Sequence, residues 1–447
     1  MGRLFGTDGV RGVANVDLTA DLALSLSGAA VSVLTRSGRS VRPRPLVVVG
    51  RDTRPSGEFL EAAVTAGLAA AGADVLRMGV VPTPAVAFGV VAAEADLGVV
   101  LSASHNAMPD NGIKLFGGGG FKLPDEIEDQ IEAHLGQLWD RPTGAGVGRI
   151  RDEAALLERY EQHLLDAAPV RLDGLRVVVD CAEGAASLIA PAVLRRAGAD
   201  VVPLSSQGDG LRINAGCGAT YLDPLSKEVV ENGAHAGIAF DGDADRCLGV
   251  DASGTVVDGD QILAISAIAL RERGALAADT VVTTVMANLG FKQAMQAQGI
   301  CVVETSVGDR YVLEAMRGGG FLLGGEQSGH VIFLDHATTG DGLLTALQLL
   351  GRVAETGQPL AELAAVMTRL PQVLVNVRVK DKHRLADDPR VLAALARAER
   401  KLGDSGRVLL RPSGTEPLVR VMVEAADEDA ARETADRLAA AVGQALH

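Results

Sequence analysis

LVVVGRDTRPSGEFLEAAVTAGLAAAGADVLRMG, residues 46–79, decides the fold. A β-branched run over 46–52 stops at a polar turn. An Ala-rich amphipathic stretch fills 58–73, and a second apolar run starts at Asp74. Val-rich runs of this length suit buried strands, and Ala, Leu and Glu are strong helix formers. Strand, helix, strand at this spacing is a βαβ unit, whose crossover helix covers one face of the sheet.

The layout recurs twice. LRVVVDCAEG (175–184) leads through SLIAPAVLRRAGA to DVVPLS (200–205), and TVVTTVMANLG (280–290) leads through FKQAMQAQG to ICVVETS (300–306). The first two copies share AGADV at the helix exit. The reading is α/β: three similar α/β domains with mixed sheets. The tail differs. VLVNVRVK (373–380) reads as a strand, DPRVLAALARAERKL (388–402) as a helix, and GRVLLRPSGTEPLVRVMVEA (406–425) as strand, loop, strand. An acid-started amphipathic helix, DEDAARETADRLAAAVGQAL (427–446), closes a smaller α+β domain. A Gly-rich linker at 141–149, a turn at 250–260 and MTRLPQ (367–372) mark the joints. They give domains of 1–149, 150–252, 253–370 and 371–447.

The 447 residues exceed one core, since single cores rarely grow beyond roughly 250–300 residues. A net charge of −15 argues against a nucleic-acid binder but leaves room for a local basic pocket. Cys181, Cys217, Cys247 and Cys301 form no CxxC pair and no zinc spacing, so they read as small buried thiols in a reducing compartment. The N-terminus shows no signal-peptide core, and no apolar stretch of ~20 residues is free of charge. A cytoplasmic protein is expected, with no membrane and no nucleic-acid partner.

Four loops carry the chemistry. AGIAF (236–240) runs into DGDADR (241–246), which sets three aspartates at i, i+2 and i+4. Their repulsion calls for a cation, and an all-oxygen set suits a hard ion, Mg²⁺. An EF-hand would need Gly and Glu where Arg246 and Ala252 stand. Asp241, Asp243 and Asp245 alone leave Mg²⁺ open positions, which a phosphate oxygen fills in phosphoryl-transfer sites. The run LGVVL (97–101) enters SASHNAMPDNGIK (102–114). A serine exposed at a strand end can carry such a phosphate. It can also cap a turn. A hydrolase nucleophile would want GxSxG, which Ser104 lacks. RPSGTEPLVR (411–420) combines two arginines, two hydroxyls and a glycine, a phosphate cradle or an ordinary turn. GGEQSGH (324–330) offers Glu326, Ser328 and His330 to sugar hydroxyls, with Arg310 of GDRYV as a neighbour, or is simply a Gly-rich turn.

Taken in order, FGTDGVRG (5–12), SASHN, DGDxDR, GEQSGH and RPSGTEP resemble the α-D-phosphohexomutase family over nearly the whole chain. The resemblance implies four domains around a central active-site cleft, each giving one loop. It implies that Ser104 is phosphorylated and binds Mg²⁺ with Asp241, Asp243 and Asp245. It implies that Glu326, Ser328 and His330 read the sugar, with Arg246 and Arg310 nearby. Arg411, Ser413, Gly414, Thr415 and Arg420 would grip the non-reacting phosphate. Lys114 and Arg11 match basic positions near the reaction, and Lys114, His105 and His330 are the acid–base candidates. Gln327 in GEQSGH is similar to the glucosamine branch, whereas glucose and mannose enzymes more often carry Met there. The implied function interconverts glucosamine 6-phosphate and glucosamine 1-phosphate through a phosphoserine and a 1,6-bisphosphate. It would feed amino-sugar nucleotide and cell-wall precursor synthesis, with a hexose 1,6-bisphosphate as activator. The implied partner is a sugar phosphate, and a homodimer is compatible with the reading. The alternative is a glucose or mannose enzyme of the same family. One departure stands out: Ala107 replaces the usual proline of SASHNP, which predicts a less preorganised serine loop.

Overall fold

A computed structural model describes residues 3–6, 8–37, 42, 44–137, 141–413 and 416–447. The chain forms two compact units. One holds Met1–Met286 with Ile300–Val366, the other Ala287–Gly299 with Met367–His447.

The larger unit contains three mixed sheets. The opening βαβ stretch supplies Leu46–Arg51 and Asp74–Val80, which pair in parallel, joined by helix Ser56–Ala70. Around them the order is Val10–Val13, Asp110–Gly117, Leu97–Leu101, Leu46–Arg51, Asp74–Val80, Ile150–Asp152. The segment read as a linker therefore does not lead straight to the second sheet. Gly148 and Val75 anchor it through backbone hydrogen bonds to Ala69 and Arg149, and Ile150–Asp152 adds a sixth strand to the first sheet. The second sheet runs Val256–Val257, Cys247–Asp251, Ala236–Phe240, Arg176–Asp180, Asp200–Leu204. Residues 250–257 of the segment read as a turn thus belong to a hairpin of that sheet. Asp258 then caps helix Gly259–Glu272 in a reciprocal box with Gln261. The third sheet runs Cys301–Thr305, Thr280–Thr284, Leu323–Gly325, Val331–Phe333.

One topological point repeats in all three. A strand that has paired in parallel hands its chain to an antiparallel return: Leu97–Leu101 to Asp110–Gly117, Ala236–Phe240 to Cys247–Asp251, Leu323–Gly325 to Val331–Phe333. The loops at these reversals are the serine loop, the aspartate loop and the GEQSGH loop. Strand carboxyl ends at such switch points are where open α/β sheets place ligands.

The smaller unit is an antiparallel sheet, Gln372–Arg378, Leu418–Glu424, Arg407–Pro412. Helices Pro389–Leu402 and Glu428–Leu446 bury Val391, Ala435, Leu438 and Val442 with Val419, Val421 and Val423 of that sheet. Asp427 caps the last helix, as its acidic start predicts. Cys181, Cys217 and Cys247 are buried, but Cys301 is exposed because it opens an edge strand. Among the described residues no helix is long and apolar enough to cross a membrane.

Candidate active site

The serine loop meets the aspartate loop inside the larger unit. Ser104 adopts a left-handed backbone, φ +53°, which a non-glycine residue holds only when its surroundings impose it. Its Oγ donates to Asp241 Oδ2 at 2.5 Å and lies 3.2 Å from His105 Nδ1. The side chains of Asp241, Asp243 and Asp245 are all buried, with one carboxylate oxygen of each lying within 4.8 Å of the others. Gly242 permits this meeting: a Cβ there would stand 2.6 Å from the Ser104 carbonyl oxygen.

Hydrogen bonds satisfy the three buried carboxylates only in part. Lys114 Nζ donates to Asp243 Oδ2 at 2.8 Å and to Asp245 Oδ2 at 3.3 Å, and Thr83 Oγ1 donates to Asp243 at 2.5 Å. Among the described residues Asp243 Oδ1 and Asp245 Oδ1 are buried without a hydrogen-bond partner. Burial first, then Asp245 and Asp243, pushes Asp241 up to about 8. Burial would raise Asp245 too, but Lys114, His330 and Arg246 outweigh it and hold that carboxyl below its ordinary range. An oxygen-only triad with unsatisfied buried atoms is a site that could hold a divalent cation.

The cations around it are fixed. Burial opposes charge on Lys114, yet Asp243, Asp8 and Asp245 hold its pKa well above the ordinary value, so it is an ammonium. Burial, then Arg246 and Arg11, pushes His105 down to about 4, so its ring is neutral near pH 7. For His330 burial is outweighed by Asp245 and Asp309, and the pKa rises. Its Nε2 lies 3.5 Å from Asp309 and its Nδ1 3.7 Å from Asp245. Arg246 Nε stands 4.0 Å from Asp241 and 3.9 Å from Asp245.

A cavity of about 440 Å³ opens beside these groups, within the size range of small-molecule sites. Arg11, His105, Asp245, Arg246, Glu326 and His330 are on its wall. Ser104 and Lys114 lie behind that wall, each 1 % exposed. Glu326 accepts a hydrogen bond from Gly308 N at 3.1 Å, which fixes one of its oxygens. Ser328 is not on the wall, and its buried Oγ has no hydrogen-bond partner among the described residues. Arg310 is not there either. Its guanidinium is taken by Glu128, at 2.9 Å, and by Asp125 of the acidic helix Asp125–His134.

In the smaller unit Arg411 and Arg420 are cross-strand partners. Burial lowers the Arg411 pKa, and the like charge of Arg420 adds to it, so an anion between the two guanidiniums would offset both. Ser413 Oγ accepts from Glu416 N at 3.3 Å, and Lys382 donates to the Ser413 carbonyl at 2.6 Å. Gly414 and Thr415 lie outside the described residues.

Sequence reasoning missed six residues: Asp8, Lys122, Asp309, Asp52, Arg54 and Asn214. Asp8 pairs with Lys114 at 3.0 Å and with Lys122 and Arg11, and Lys122 also binds Asp309. Asp52 and Arg54 support the serine loop from below. Asn214 donates to the Ser104 carbonyl at 2.9 Å. The available signal was position: Asp8 sits inside FGTDGVRG, and Asp52 and Arg54 sit in the turn after a buried strand.

The chain matches four family models, described as phosphoglucomutase/phosphomannomutase alpha/beta/alpha domains I (2–139), II (157–254) and III (258–370) and C-terminal domain (374–441). It is 70% identical over 451 residues to a phosphoglucosamine mutase of Frankia alni, covering 100% of this chain and 99% of that protein. It is 64% identical over 451 residues to a phosphoglucosamine mutase of Streptomyces coelicolor, covering 100% of both. Among solved structures, a phosphoglucomutase/phosphomannomutase family protein of Burkholderia thailandensis superposes with a TM-score of 0.80 at 25% identity. The match covers 99% of this chain and 97% of that one.

Proposed function

This chain belongs to the phosphoglucomutase/phosphomannomutase family of α-D-phosphohexomutases, and from that membership we infer that it is an isomerase that interconverts glucosamine 6-phosphate and glucosamine 1-phosphate. The observation that carries the mechanism is the contact of Ser104 Oγ with Asp241 at 2.5 Å, beside two buried carboxylate oxygens that accept no hydrogen bond among the described residues.

In the proposed reaction Ser104 carries a phosphoryl group. The O1 hydroxyl of glucosamine 6-phosphate gives up its proton and attacks phosphorus, the bond to Ser104 Oγ breaks, Ser104 Oγ takes up a proton, and a 1,6-bisphosphate results. After the bisphosphate reorients, Ser104 Oγ gives up that proton and takes the phosphoryl group from O6, O6 is protonated, and glucosamine 1-phosphate leaves. A hexose 1,6-bisphosphate would prime an unphosphorylated enzyme through the same second half. Phosphoryl transfer needs chiefly positioning and charge stabilisation.

Mg²⁺ would be held by Asp241, Asp243 and Asp245 with the phosphorylated Ser104, and would supply positive charge to the transferring group. A phosphoserine brings ~−2 and the three aspartates −3, so the ion's +2 leaves a deficit that Lys114 and Arg246 reduce. Lys114, held as an ammonium by three carboxylates, acts as a fixed cation rather than a base. His105 is neutral and lies 3.2 Å from Ser104 Oγ, so beside Asp241 Oδ2, to which the hydroxyl donates, it is a second, weaker acceptor for that proton. His330 is disposed to keep its proton and faces the cavity with Glu326, where sugar oxygens would lie.

The test is kcat/KM for glucosamine 6-phosphate, glucose 6-phosphate and mannose 6-phosphate, with Mg²⁺ and a trace of hexose 1,6-bisphosphate. A preference of about 100-fold or more for the amino sugar is expected. Equal or reversed preference would move the chain to the glucose and mannose branch.

A further inference from the structure

Arg54 is fully buried, yet its guanidinium makes four hydrogen bonds to one short loop. Nη2 donates to the carbonyls of Ser104 at 3.0 Å and Asn106 at 2.8 Å, and Nη1 donates to those of Ala107 at 2.5 Å and Asp110 at 2.9 Å. Its Nε is held by Asp52 Oδ2 at 2.9 Å. The same oxygen of Asp52 accepts from Ser102 Oγ at 2.6 Å, and Ser102 Oγ in turn accepts from the Ser104 N–H at 2.9 Å. Arg54 therefore grips Ser104 on both sides: directly at its carbonyl, and through Asp52 and Ser102 at its amide. Asn214 arrives from another part of the chain and doubles the hold, donating to the carbonyls of Ser104 at 2.9 Å and Asn106 at 3.1 Å.

We propose that Arg54, assisted by Asn214, is a positioning residue for phosphoryl transfer, fixing the left-handed conformation that aims Ser104 Oγ at the aspartate loop. The proposal rests on the reading of Ser104 as the phosphoryl carrier. Three points favour positioning over plain core stability. A buried ion pair such as Asp52–Arg54 seldom stabilises a fold more than apolar side chains of similar volume would. The fork's targets all lie between Ser104 and Asp110, the loop that delivers the reacting oxygen. A planar guanidinium can span four carbonyls at fixed angles, which an ammonium cannot.

The experiment is a single-turnover measurement on the full chain, loaded with phosphate from a hexose 1,6-bisphosphate and mixed with glucosamine 6-phosphate. The amplitude reports the folded, loaded fraction, and the rate constant reports positioning. Arg54→Lys is expected to slow the rate constant about 100-fold, the cost of displacing a reacting group by about 1 Å, with KM within about threefold of wild type. A role in stability alone would shrink the amplitude and leave the rate constant unchanged, which overturns the proposal. Should Arg54→Lys fail to fold, Asn214→Ala decides. A loss of about tenfold in the rate constant supports the proposal, and a wild-type rate constant overturns it. Ser104→Ala separates the two layers. If it retains turnover, the reading of Ser104 fails. If it is inactive while both other variants react at the wild-type rate, only the role of Arg54 and Asn214 fails.

Discussion

The two loops that meet at Ser104 are finished in opposite ways. In the serine loop the carbonyls of residues 104, 106, 107 and 110 are met by protein donors, chiefly Arg54. In the aspartate loop, 241–245, two buried carboxylate oxygens, Asp243 Oδ1 and Asp245 Oδ1, accept no hydrogen bond among the described residues, although Asp245 Oδ1 has the longer ion pairs with His330 and Arg246. The first loop is complete when the chain folds; the second is built to be completed by a ligand. A phosphoryl-transfer site needs both properties, a rigid carrier and a charge sink that a cation can enter. The difference also predicts which perturbations act on chemistry and which on structure.

The largest effect falls on the carrier. Ser104→Ala removes the attacking oxygen, with its contacts to Asp241 and His105, and leaves the main-chain hydrogen bonds that Arg54, Asn214 and Ser102 make to residues 104–110 in place. Turnover of glucosamine 6-phosphate should fall by at least about 10⁴-fold with little change in thermal midpoint. Appreciable turnover in a coupled assay would break the assignment.

Next comes the open loop. Chelation should abolish activity and added Mg²⁺ should restore it. The thermal midpoint gives a readout free of turnover. Binding to the folded state alone stabilises by about 2.7 kcal/mol when the ion stands at 100 times its Kd. Mg²⁺ should therefore raise the midpoint of the wild-type chain. In Asp243→Asn the rise should be largely lost, and activity should drop about 10³-fold. An equal rise in both would mean that the ion binds elsewhere.

How much of this was legible beforehand follows from the same contrast. The βαβ repeat at 46–79 and 175–205 is written in local periodicity, so the sheets could be read. DGDADR and SASHN could be read because their ligating atoms are packed into a few consecutive residues. Arg54 could not. Its four acceptors lie 50 to 56 residues away and are main-chain atoms, which leave no trace in residue identity. Asn214 is more distant still, 110 residues from Ser104. Arg310 looked like a ligand because it neighbours the cleft in sequence. Pairing with Glu128 and Asp125 of a helix nearly two hundred residues earlier takes it instead.

A third carboxylate sharpens the comparison. Asp341 is buried like the triad, but the chain completes it: Tyr160 OH donates to Oδ2 at 2.9 Å and Leu344 N to Oδ1 at 3.0 Å. Burial pushes its pKa up to about 6 despite these bonds. A carboxyl raised on folding binds more protons in the folded state than in the unfolded one between its two pKa values. Its contribution to stability is therefore full at low pH and is lost as pH rises from about 4 to 6. Asp341→Asn should erase that loss. Measured by urea denaturation, its stability relative to wild type should climb across this window, by an amount on the order of 3 kcal/mol at most. A difference that stays flat with pH would show that Asp341 does not titrate there, and kcat should move little in either case.

The smallest effect is expected where the sequence looked most suspicious. Ala107 stands where the family usually has proline, and the residue alone suggests a loose loop. The structure places the constraint elsewhere. The Ala107 carbonyl accepts from Arg54 at 2.5 Å and from the Asp110 amide at 3.1 Å, and Asn106 Nδ2 donates to Asp110 at 2.9 Å. The side chain of Ala107 is exposed, and among the described residues its N–H makes no backbone hydrogen bond that proline would remove. Ala107→Pro should therefore change stability by no more than about 1 kcal/mol, mainly by stiffening the unfolded chain. In the single-turnover assay it should shift the rate constant less than about threefold. Combining it with Arg54→Lys makes the stronger demand. If the guanidinium is what holds the loop, proline should recover only a small part of the lost rate. If proline restores most of it, the conformation at residue 107 and the grip of Arg54 are interchangeable means to the same geometry, and the serine loop is not complete without one of them.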